Sequence, residues 1–368
     1  MVYECEDCHK QWYYDVKKCI FCQGDVVEVE TMKSTVRGIT KIEIPSPGHT
    51  RVPYCDLFLE DEHGNFHIRK SFTEQKLGDV IEEEPKATKQ EIKKRTVGVV
   101  GTGTMGSGIV QVCAQTGYHV IMIDRHEEIA RKALTKIDKA LSKTTKDELK
   151  QEILSRIKIT ANLYESEHAD LMIEVLTEDM ELKKEVFREL DNECSIDTIF
   201  ATNTSSLSVT ELSHALKDPG RLVGLHFFNP VPRMKLVEII RSKNTSDAAV
   251  EYVKEIAFEL DKTPVMTGDA PGFIVNRLLL VFLNEAMDKY ADGTSTAEDI
   301  DKAVTLGLNH PMGPLALSDL IGLDVCKAIL DVLYEGYKDP KYKPCKTLCE
   351  MVDKGTLGRK SGEGFYKY

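Results

Sequence analysis

A histidine and a carboxylate lie in two neighbouring apolar segments of this 368-residue chain. His226 ends the run VGLH, and Glu238 lies inside the run KLVEII. A carboxylate in an apolar segment is costly to bury unless a partner compensates it. Because a carboxylate fixes the tautomer of an imidazole and raises its basicity, the pair could act as a general base. The alternative is a packed core histidine near an unrelated exposed glutamate.

The segments around this pair alternate between apolar strands and helices from Thr96 onward. Buried strands are predicted in VGVV, HVIMID, LMIEVL, TIFATN and RLVGLHFF, with helical stretches between them. This alternation predicts a parallel sheet covered on both faces. After Pro271 the pattern predicts helices, in FIVNRLLLVFLNEAMDKYADG, STAEDIDKAVTLGL and LSDLIGLDVCKAILDVLYEGY. The sequence therefore predicts an α/β domain over residues 96–272 and an all-α domain over residues 273–368.

Three glycines, Gly101, Gly103 and Gly106, form G-x-G-x-x-G between the first of these strands and a helix. The first glycine permits a tight turn, the second lets the backbone approach a pyrophosphate, and the third lets helix and strand pack closely. The helix N-terminus offers free N–H groups to the phosphates. Asp124 ends the next strand, where it can bind an adenosine ribose. We therefore expect a Rossmann-type domain that binds NAD, although Arg125 leaves NADP possible.

Further polar side chains follow the predicted strands. Asn203, Ser205 and Ser206 come after TIFAT, and Glu178 and Lys183 come after LMIEVL. Ligands collect at the carboxyl ends of parallel strands, so these side chains are candidates for the same cleft. The motif PGFIVNR adds Asn276 at the start of the helical domain. The alternatives are a helix cap for NTSS and an ordinary first-turn polar residue for Asn276.

The order of the motifs is specific. GTGTMGSGI, EVLTEDMELK, NTSSL, HFFNPVPRMKLVEII, PGFIVNR, HPMGP and GEGFYKY follow one another along the chain. In this order they strongly resemble the L-3-hydroxyacyl-CoA dehydrogenase family, of the 3-hydroxybutyryl-CoA dehydrogenase type. The resemblance covers about residues 96–368.

The resemblance implies roles for individual residues. It makes His226 the catalytic base and Glu238 its orienting partner, with Ser205 and Asn276 hydrogen-bonded to the substrate. The predicted cofactor site joins the glycine motif to positions that the resemblance implies: Gly101, Gly103, Thr104, Met105, Gly106, Asp124, Glu178, Lys183, Asn203, Ser205, Asn229 and Lys360. The lysines that contact coenzyme A in the family have only candidates here, Lys136 and Lys143.

The expected reaction is NAD-dependent oxidation of an (S)-3-hydroxyacyl-CoA to a 3-ketoacyl-CoA and its reverse, on a short acyl chain. Two alternatives within the superfamily are a 3-hydroxyadipyl-CoA dehydrogenase and a dehydrogenase of free sugar acids such as L-gulonate. An alternative of another class is a non-catalytic NAD-sensing scaffold. The resemblance also implies a homodimer formed by the helical domain.

Four N-terminal cysteines form two C-x-x-C pairs: Cys5, Cys8, Cys19 and Cys22. Two such pairs suit a tetrahedral four-thiolate site, and so short a segment needs a metal to stabilise its fold. We therefore predict a structural Zn²⁺ in a zinc ribbon over residues 1–30. Rubredoxin-like iron, a redox dithiol and chance cysteines are the alternatives.

The segment after the ribbon has short strands broken by turns. VRGITKIEI, VPYCDLFLED and FHIRKSF are separated by PSPG and HGN, which predicts a small OB-like β-barrel over residues 31–84. Residues 85–95 are predicted to be a charged linker. Ribbon and barrel together resemble the zinc-ribbon and OB-fold modules associated with thiolases and other acyl-CoA enzymes. This resemblance implies a protein partner such as a thiolase for residues 1–84.

Composition narrows the class of protein further. The net charge of -12 argues against a nucleic-acid partner, and no apolar run is long enough to cross a bilayer. The start MVYECEDCHK lacks the basic and apolar parts of a secretory signal. Of the ten cysteines, those outside the two pairs are scattered, as expected for reduced thiols. We therefore expect a cytoplasmic protein.

Overall fold

The computed structural model describes residues 2–5, 11–12, 26–29, 33–42, 54–61, 66–71, 75–82 and 95–368. Contacts divide the chain into two compact units, Met1–Lys93 and Lys94–Tyr368. Within the described ranges, every helix is too short or too polar to cross a lipid bilayer.

The first unit contains two antiparallel sheets. In the smaller sheet, β1 (Val2–Cys5) lies between β2 (Gln11–Trp12) and β3 (Val26–Val29). The larger sheet has the order β6–β5–β4–β7, formed by β4 (Lys33–Ile42), β5 (Tyr54–Asp61), β6 (Phe66–Ser71) and β7 (Val80–Glu82). The predicted strands of this segment correspond to β4, β5 and β6. Closure into a barrel stays a prediction.

The second unit is built on an eight-stranded sheet. Its order is β10–β9–β8–β11–β12–β13–β14–β15. The strands are β8 (Thr96–Val100), β9 (His119–Ile123), β10 (Ile157–Thr160), β11 (Leu171–Glu174), β12 (Ile199–Thr202), β13 (Leu222–Phe227), β14 (Leu236–Arg241) and β15 (Thr263–Gly268). From β10 to β13 all pairs are parallel, in the order of a dinucleotide-binding Rossmann sheet. The predicted Rossmann-type sheet is confirmed.

The pairing changes beyond β13. β14 runs antiparallel to β13, and β15 runs parallel to β14. The connection between β13 and β14 is a short loop, which can join antiparallel neighbours but not parallel ones. The expectation of a parallel sheet therefore holds for the five predicted strands, β8, β9, β11, β12 and β13, and the sheet continues beyond them with the antiparallel strand β14.

Helices cover both faces of this sheet. One face is covered by α1 (Thr104–Thr116), α2 (Glu127–Leu141), α3 (Asp147–Ser155) and α6 (Asp247–Glu259). The other face is covered by α4 (Met180–Glu193) and α5 (Val209–Ser213). Because helices cover both faces, the central strands β8, β9, β11, β12 and β13 are buried along almost their whole length.

The remainder of the unit is helical, as predicted. It contains α7 (Val275–Ala291), α8 (Ala297–Gly307), α9 (Pro314–Ile321), α10 (Leu323–Tyr337) and α11 (Lys346–Asp353), packed around Leu283, Met287, Leu330 and Leu333. The third predicted helical segment is two helices rather than one. The helical conformation is interrupted at Gly322, whose φ of 102° does not fit a right-handed helix.

Candidate active site

The glycine turn after β8 has the shape of a phosphate cradle. Gly101 has a φ of 97°, which only glycine adopts readily. A Cβ at Gly106 would lie 1.9 Å from the carbonyl oxygen of Gly101, so the third glycine is required for close packing. A Cβ at Gly103 would meet nothing within 4 Å. The open space therefore lies at the start of α1, beside the first-turn residues Thr104 and Met105, where the backbone can approach a pyrophosphate.

Asp124 connects this turn to the end of β9. One carboxylate oxygen accepts the backbone N–H of Thr102 at 2.9 Å and its hydroxyl at 2.6 Å. The other accepts the backbone N–H of Arg125 at 2.9 Å. Because a carboxylate has about four acceptor positions, Asp124 can still accept from a ribose. The residues present fit the adenosine and pyrophosphate of a dinucleotide.

His226 and Glu238 form the pair that the sequence indicates. The two residues are opposite each other in the antiparallel register of β13 and β14. His226 Nδ1 lies 2.7 Å from Glu238 Oε2, and the residues are 6% and 0% exposed. An ionised carboxylate can only accept, so the neutral imidazole that fits this contact has its hydrogen on Nδ1 and a lone pair on Nε2.

The second oxygen of Glu238 binds the helical part of the unit. Oε1 accepts the backbone N–H groups of Ile274 at 3.0 Å and Val275 at 2.9 Å, at the start of α7. These two bonds fix the Glu238 carboxylate at the start of α7, where the helix dipole favours a negative charge. The rings of Phe228 and Phe273 lie 4.6 and 5.7 Å from the His226 ring, centroid to centroid. The imidazole of His226 therefore lies in an apolar setting.

Glu178, in the segment after β11, forms hydrogen bonds with the polar residues that follow β12. Its Oε1 accepts both the backbone N–H of Ser205 at 2.6 Å and the Ser205 hydroxyl at 2.8 Å. Its Oε2 accepts the hydroxyl of Thr204 at 2.8 Å. The Asn276 amide donates to the Ser205 carbonyl at 3.4 Å. The structure therefore brings the predicted residues Glu178, Ser205 and Asn276 together.

Asn203 joins this group to the strand that carries the base. Its side-chain oxygen accepts the backbone N–H of Phe227 at 2.8 Å, next to His226. The loop after β13 also contacts the dinucleotide helix, because a Cβ at Gly108 would lie 2.9 Å from Val231. The glycine turn and His226 therefore belong to one connected region. Asn229, in this loop, is exposed.

Lys183 is 1% exposed and forms a buried ion pair. Its ammonium lies 2.6 Å from Oε1 of Glu174 and donates to the carbonyl of Leu176 at 3.1 Å. Glu174, which is 0% exposed, is not among the site residues that the sequence predicts. The signal for it was a lone acid in the apolar strand LMIEVL, the same kind of signal that identifies Glu238.

Three predicted lysines are not joined to this region by the described contacts. Lys360 lies in a turn near the C-terminus and pairs with Asp324 of α10. Lys136 on α2 and Lys143 just beyond it are both exposed. Their predicted contacts with cofactor and coenzyme A stay predictions.

The predicted zinc ligands cannot be located in the same way. Cys8, Cys19 and Cys22 lie outside the described residues, and only the backbone of Cys5 is described, at the end of β1. Across the residues that the structure does describe, there is no cluster of histidine, cysteine, aspartate or glutamate that could hold a metal ion.

The fold and the site define a class of enzyme. A phosphate cradle at the start of α1 and a carboxylate-held histidine at the end of β13 share the carboxyl edge of one sheet. This is the arrangement of a nicotinamide-dinucleotide-dependent dehydrogenase.

Comparison with known proteins identifies the family. The model of the 3-hydroxyacyl-CoA dehydrogenase NAD-binding domain matches residues 96–270, and that of the C-terminal domain matches residues 272–368. The chain is 49% identical to a 3-hydroxybutyryl-CoA dehydrogenase of Clostridioides difficile over 73% of its length and 98% of the relative. The chain therefore belongs to the 3-hydroxyacyl-CoA dehydrogenase family.

Solved structures agree with this assignment. The crystal structure of FadB2 from M. tuberculosis has a TM-score of 0.73 and 42% identity, covering 75% of this chain and 99% of that one. The (S)-3-hydroxybutyryl-CoA dehydrogenase PaaH1 from Ralstonia eutropha has a TM-score of 0.73 and 41% identity, covering 74% and 99%.

Proposed function

We propose that the chain catalyses the NAD-dependent interconversion of (S)-3-hydroxyacyl-CoA and 3-ketoacyl-CoA, on short chains such as 3-hydroxybutyryl-CoA and acetoacetyl-CoA. The observation that carries this proposal is the buried bond of 2.7 Å between His226 and Glu238 at the edge that carries the glycine cradle. The substrate class is supported by the names of the relatives from Clostridioides difficile and Ralstonia eutropha.

His226 handles the proton of the substrate's 3-hydroxyl. Oxidation of the carbinol carbon requires this proton to leave, and Nε2 of His226 is the ring nitrogen that can take it. Glu238 then stabilises the imidazolium that forms, because its charge lies 2.7 Å from Nδ1. In the reductive direction the imidazolium returns the proton to the oxygen. When bound, the cofactor supplies the chemistry of hydride acceptance and donation.

Ser205 and Asn276 have different tasks in this proposal. The Ser205 hydroxyl hydrogen is donated to Glu178, so toward substrate its oxygen acts as an acceptor. The Asn276 amide uses one hydrogen on the Ser205 carbonyl and keeps a second. Asn276 is therefore the group that donates to the developing alkoxide.

Asp124 supports NAD rather than NADP as the cofactor. A carboxylate that binds a ribose hydroxyl repels a phosphate at the same position. We expect Asp124→Asn to improve the ratio of kcat/KM for NADPH to that for NADH by about tenfold, which corresponds to about 1.4 kcal/mol. An unchanged ratio would remove Asp124 from the determinants of cofactor choice.

The deciding experiment is an absorbance assay with purified full-length protein. NADH or NADPH is mixed with acetoacetyl-CoA and with longer 3-ketoacyl-CoA thioesters, and loss of the reduced nicotinamide band is followed. The proposal expects rapid NADH oxidation with acetoacetyl-CoA. Oxidation of NADH only when 3-oxoadipyl-CoA is present would favour the 3-hydroxyadipyl-CoA dehydrogenase. Reduction of NAD only when L-gulonate is present would favour the sugar-acid dehydrogenase. Tight NADH binding without turnover on any of these would favour the NAD-sensing scaffold.

The coenzyme A contacts are tested in the same assay. Lys136 and Lys143 are exposed cations on and beside α2 and are proposed to bind phosphates of coenzyme A. Lys136→Glu and Lys143→Glu should raise the KM for acetoacetyl-CoA and leave the KM for NADH unchanged. An unchanged KM for the thioester would exclude them.

We also propose a structural Zn²⁺ held by Cys5, Cys8, Cys19 and Cys22. The strands that flank the two cysteine pairs support this, because Cys5 at the end of β1 is opposite Val26 at the start of β3. Elemental analysis should give about one zinc per chain, lost in Cys8→Ser with Cys19→Ser. Iron in place of zinc would indicate the rubredoxin-like site, and a metal-free protein would favour a dithiol.

The remaining proposals concern assembly and location. Residues 1–84, as ribbon and OB-like barrel, are proposed to bind a thiolase or another acyl-CoA enzyme, and the helical part is proposed to form a homodimer. The unpaired described cysteines support a cytoplasmic location. Light scattering of the full chain alone should give a dimer, and mixing with a thiolase should give a heavier species. A monomer, or no change on mixing, would contradict these two proposals.

A further inference from the structure

A second buried carboxylate lies at the same edge of the sheet as Glu238. Glu174 ends β11, a central strand, and is 0% exposed. An ionised group in such a place is costly unless it is paired and hydrogen-bonded. This cost raises the question of what the carboxylate holds in place.

The partners of Glu174 come from three directions. Oε1 accepts from the Lys183 ammonium at 2.6 Å and from the backbone N–H of Leu176 at 2.6 Å. Oε2 accepts the hydroxyl of Thr202, at the end of β12, at 2.7 Å. Glu174 therefore joins the end of β12 and the loop after β11 to the first turns of α4.

Lys183 links Glu174 to the polar residues of the candidate site. Its ammonium lies 3.6 Å from Oε2 of Glu178, the carboxylate that binds Thr204 and Ser205. While Glu174 neutralises Lys183, Glu178 is free to accept from Ser205. If Glu174 lost its charge, the remaining carboxylate at salt-bridge distance from Lys183, among the described residues, would be Glu178. Lys183 would then attract Glu178 and move it from Ser205.

We propose that Glu174 is a positioning residue of this dehydrogenase, which holds Lys183 so that Glu178 can orient Ser205 and, through the Ser205 carbonyl, Asn276. The proposal rests on the proposed function, because Ser205 and Asn276 act on the substrate there. Glu174 itself touches neither substrate nor cofactor.

The test replaces Glu174 by the isosteric glutamine. Glu174→Gln should lower kcat for acetoacetyl-CoA reduction about tenfold, since small displacements of orienting groups cost at least that much. The KM for acetoacetyl-CoA should rise, and NADH binding measured by fluorescence should weaken severalfold, because Lys183 and Glu178 border the predicted cofactor site. Both kinetic values are taken per folded protein, with the folded fraction measured by circular dichroism.

A second buried ion pair, on the helix α4 that carries Lys183, provides a matched control. Asp191, near the end of α4, is 5% exposed and forms a buried ion pair with Arg221, which is 9% exposed. Arg221 also donates to the carbonyls of Ser195 and Thr198, on the side of the sheet away from the site. Asp191→Asn should therefore lower the thermal midpoint and leave kcat, KM and NADH binding unchanged. If Glu174→Gln behaves in the same way, Glu174 only stabilises the fold and the proposal is wrong.

A milder pair of variants covers the case in which Glu174→Gln does not fold. Thr202→Val removes the hydroxyl that binds Glu174, and Thr198→Val removes one that binds the carbonyl of Ala169 at the other end of β12. The proposal expects a severalfold loss of kcat in Thr202→Val alone. Equal effects of the two substitutions would overturn it. A wild-type protein without activity would contradict the proposed function and not the role of Glu174. In that case the affinities of Glu174→Gln and Asp191→Asn for NADH would still test whether Glu174 positions its neighbours.

Discussion

The turn between β8 and α1 and the strand pair β13–β14 lie at one edge of the sheet, but they present different groups. The turn offers backbone N–H groups and the open space beside Gly103. The strand pair offers two side chains, His226 and Glu238, bonded to each other. The difference separates binding from chemistry. Changes in the turn should alter dinucleotide affinity, and changes in the strand pair should alter turnover.

The largest effect is expected at the base. His226→Gln should lower kcat by roughly 10³- to 10⁴-fold, because it removes the proposed acceptor of the 3-hydroxyl proton. NADH affinity measured by fluorescence should stay within about twofold, since His226 lies outside the cradle. His119→Gln, at an exposed histidine, is the control and should have no effect. Near-normal acetoacetyl-CoA reduction by His226→Gln would end the assignment.

Glu238→Gln should be the next most harmful. The glutamine amide would donate to Nδ1, which moves the ring hydrogen to Nε2 and leaves no acceptor for the substrate proton. We expect a fall in kcat of roughly 10²- to 10³-fold, with NADH affinity nearly unchanged. The glutamine carbonyl can still accept from Ile274 and Val275, so the fold should persist. A fall in NADH affinity as large as that in kcat would contradict the separation of binding from chemistry.

A side chain added at Gly103 tests the expected role of the β8–α1 turn in dinucleotide binding. Gly103→Val directs its side chain into open space at a φ of -63°, which valine tolerates. NADH should bind at least about tenfold more weakly because the pyrophosphate position is filled, while the thermal midpoint should hardly change. Unchanged NADH affinity in isothermal titration would mean that the pyrophosphate lies elsewhere.

The smallest functional effect is expected at the third glycine. Gly106→Ala places a Cβ 1.9 Å from the Gly101 carbonyl oxygen, so the turn must shift. Overpacking of this kind costs about 1–3 kcal/mol of unfolding free energy. Urea denaturation should show this loss, with kcat per folded protein less affected than in Gly103→Val. A stable Gly106→Ala protein that fails to bind NADH would assign both glycines to binding.

The glycine turn and the contact between His226 and Glu238 could be predicted from the sequence for a common reason, while their roles in binding and catalysis stay predictions. Gly101, Gly103 and Gly106 have a fixed spacing, and His226 and Glu238 are polar residues in segments that are otherwise apolar. In both cases an exception to a local pattern indicates the candidate site residue. Glu174 is the same kind of exception, but the family resemblance implies a cofactor contact for Lys183 and gives no sign of its buried ion pair with Glu174.

Other features depend on information that a local pattern does not hold. β10 and β15 lie at the edges of the sheet, where they need not be apolar, and β15 contains Pro264 and is largely exposed. The antiparallel direction of β14 depends on which strand it joins. The break at Gly322 depends on the packing of α9 and α10, since an isolated glycine within a helical pattern does not by itself end a helix.

The bonds of Glu238 limit how the sheet and the helical half of this unit could be exchanged between proteins. The same carboxylate binds the proton-accepting ring and the first backbone amides of α7. A chimera that joins this sheet to a foreign helical half would therefore have to preserve the length of the segment between Gly268 and Val275. Inserting even one residue there would rotate the amides away from Oε1, and an imported half that packs well would still leave the histidine misaligned.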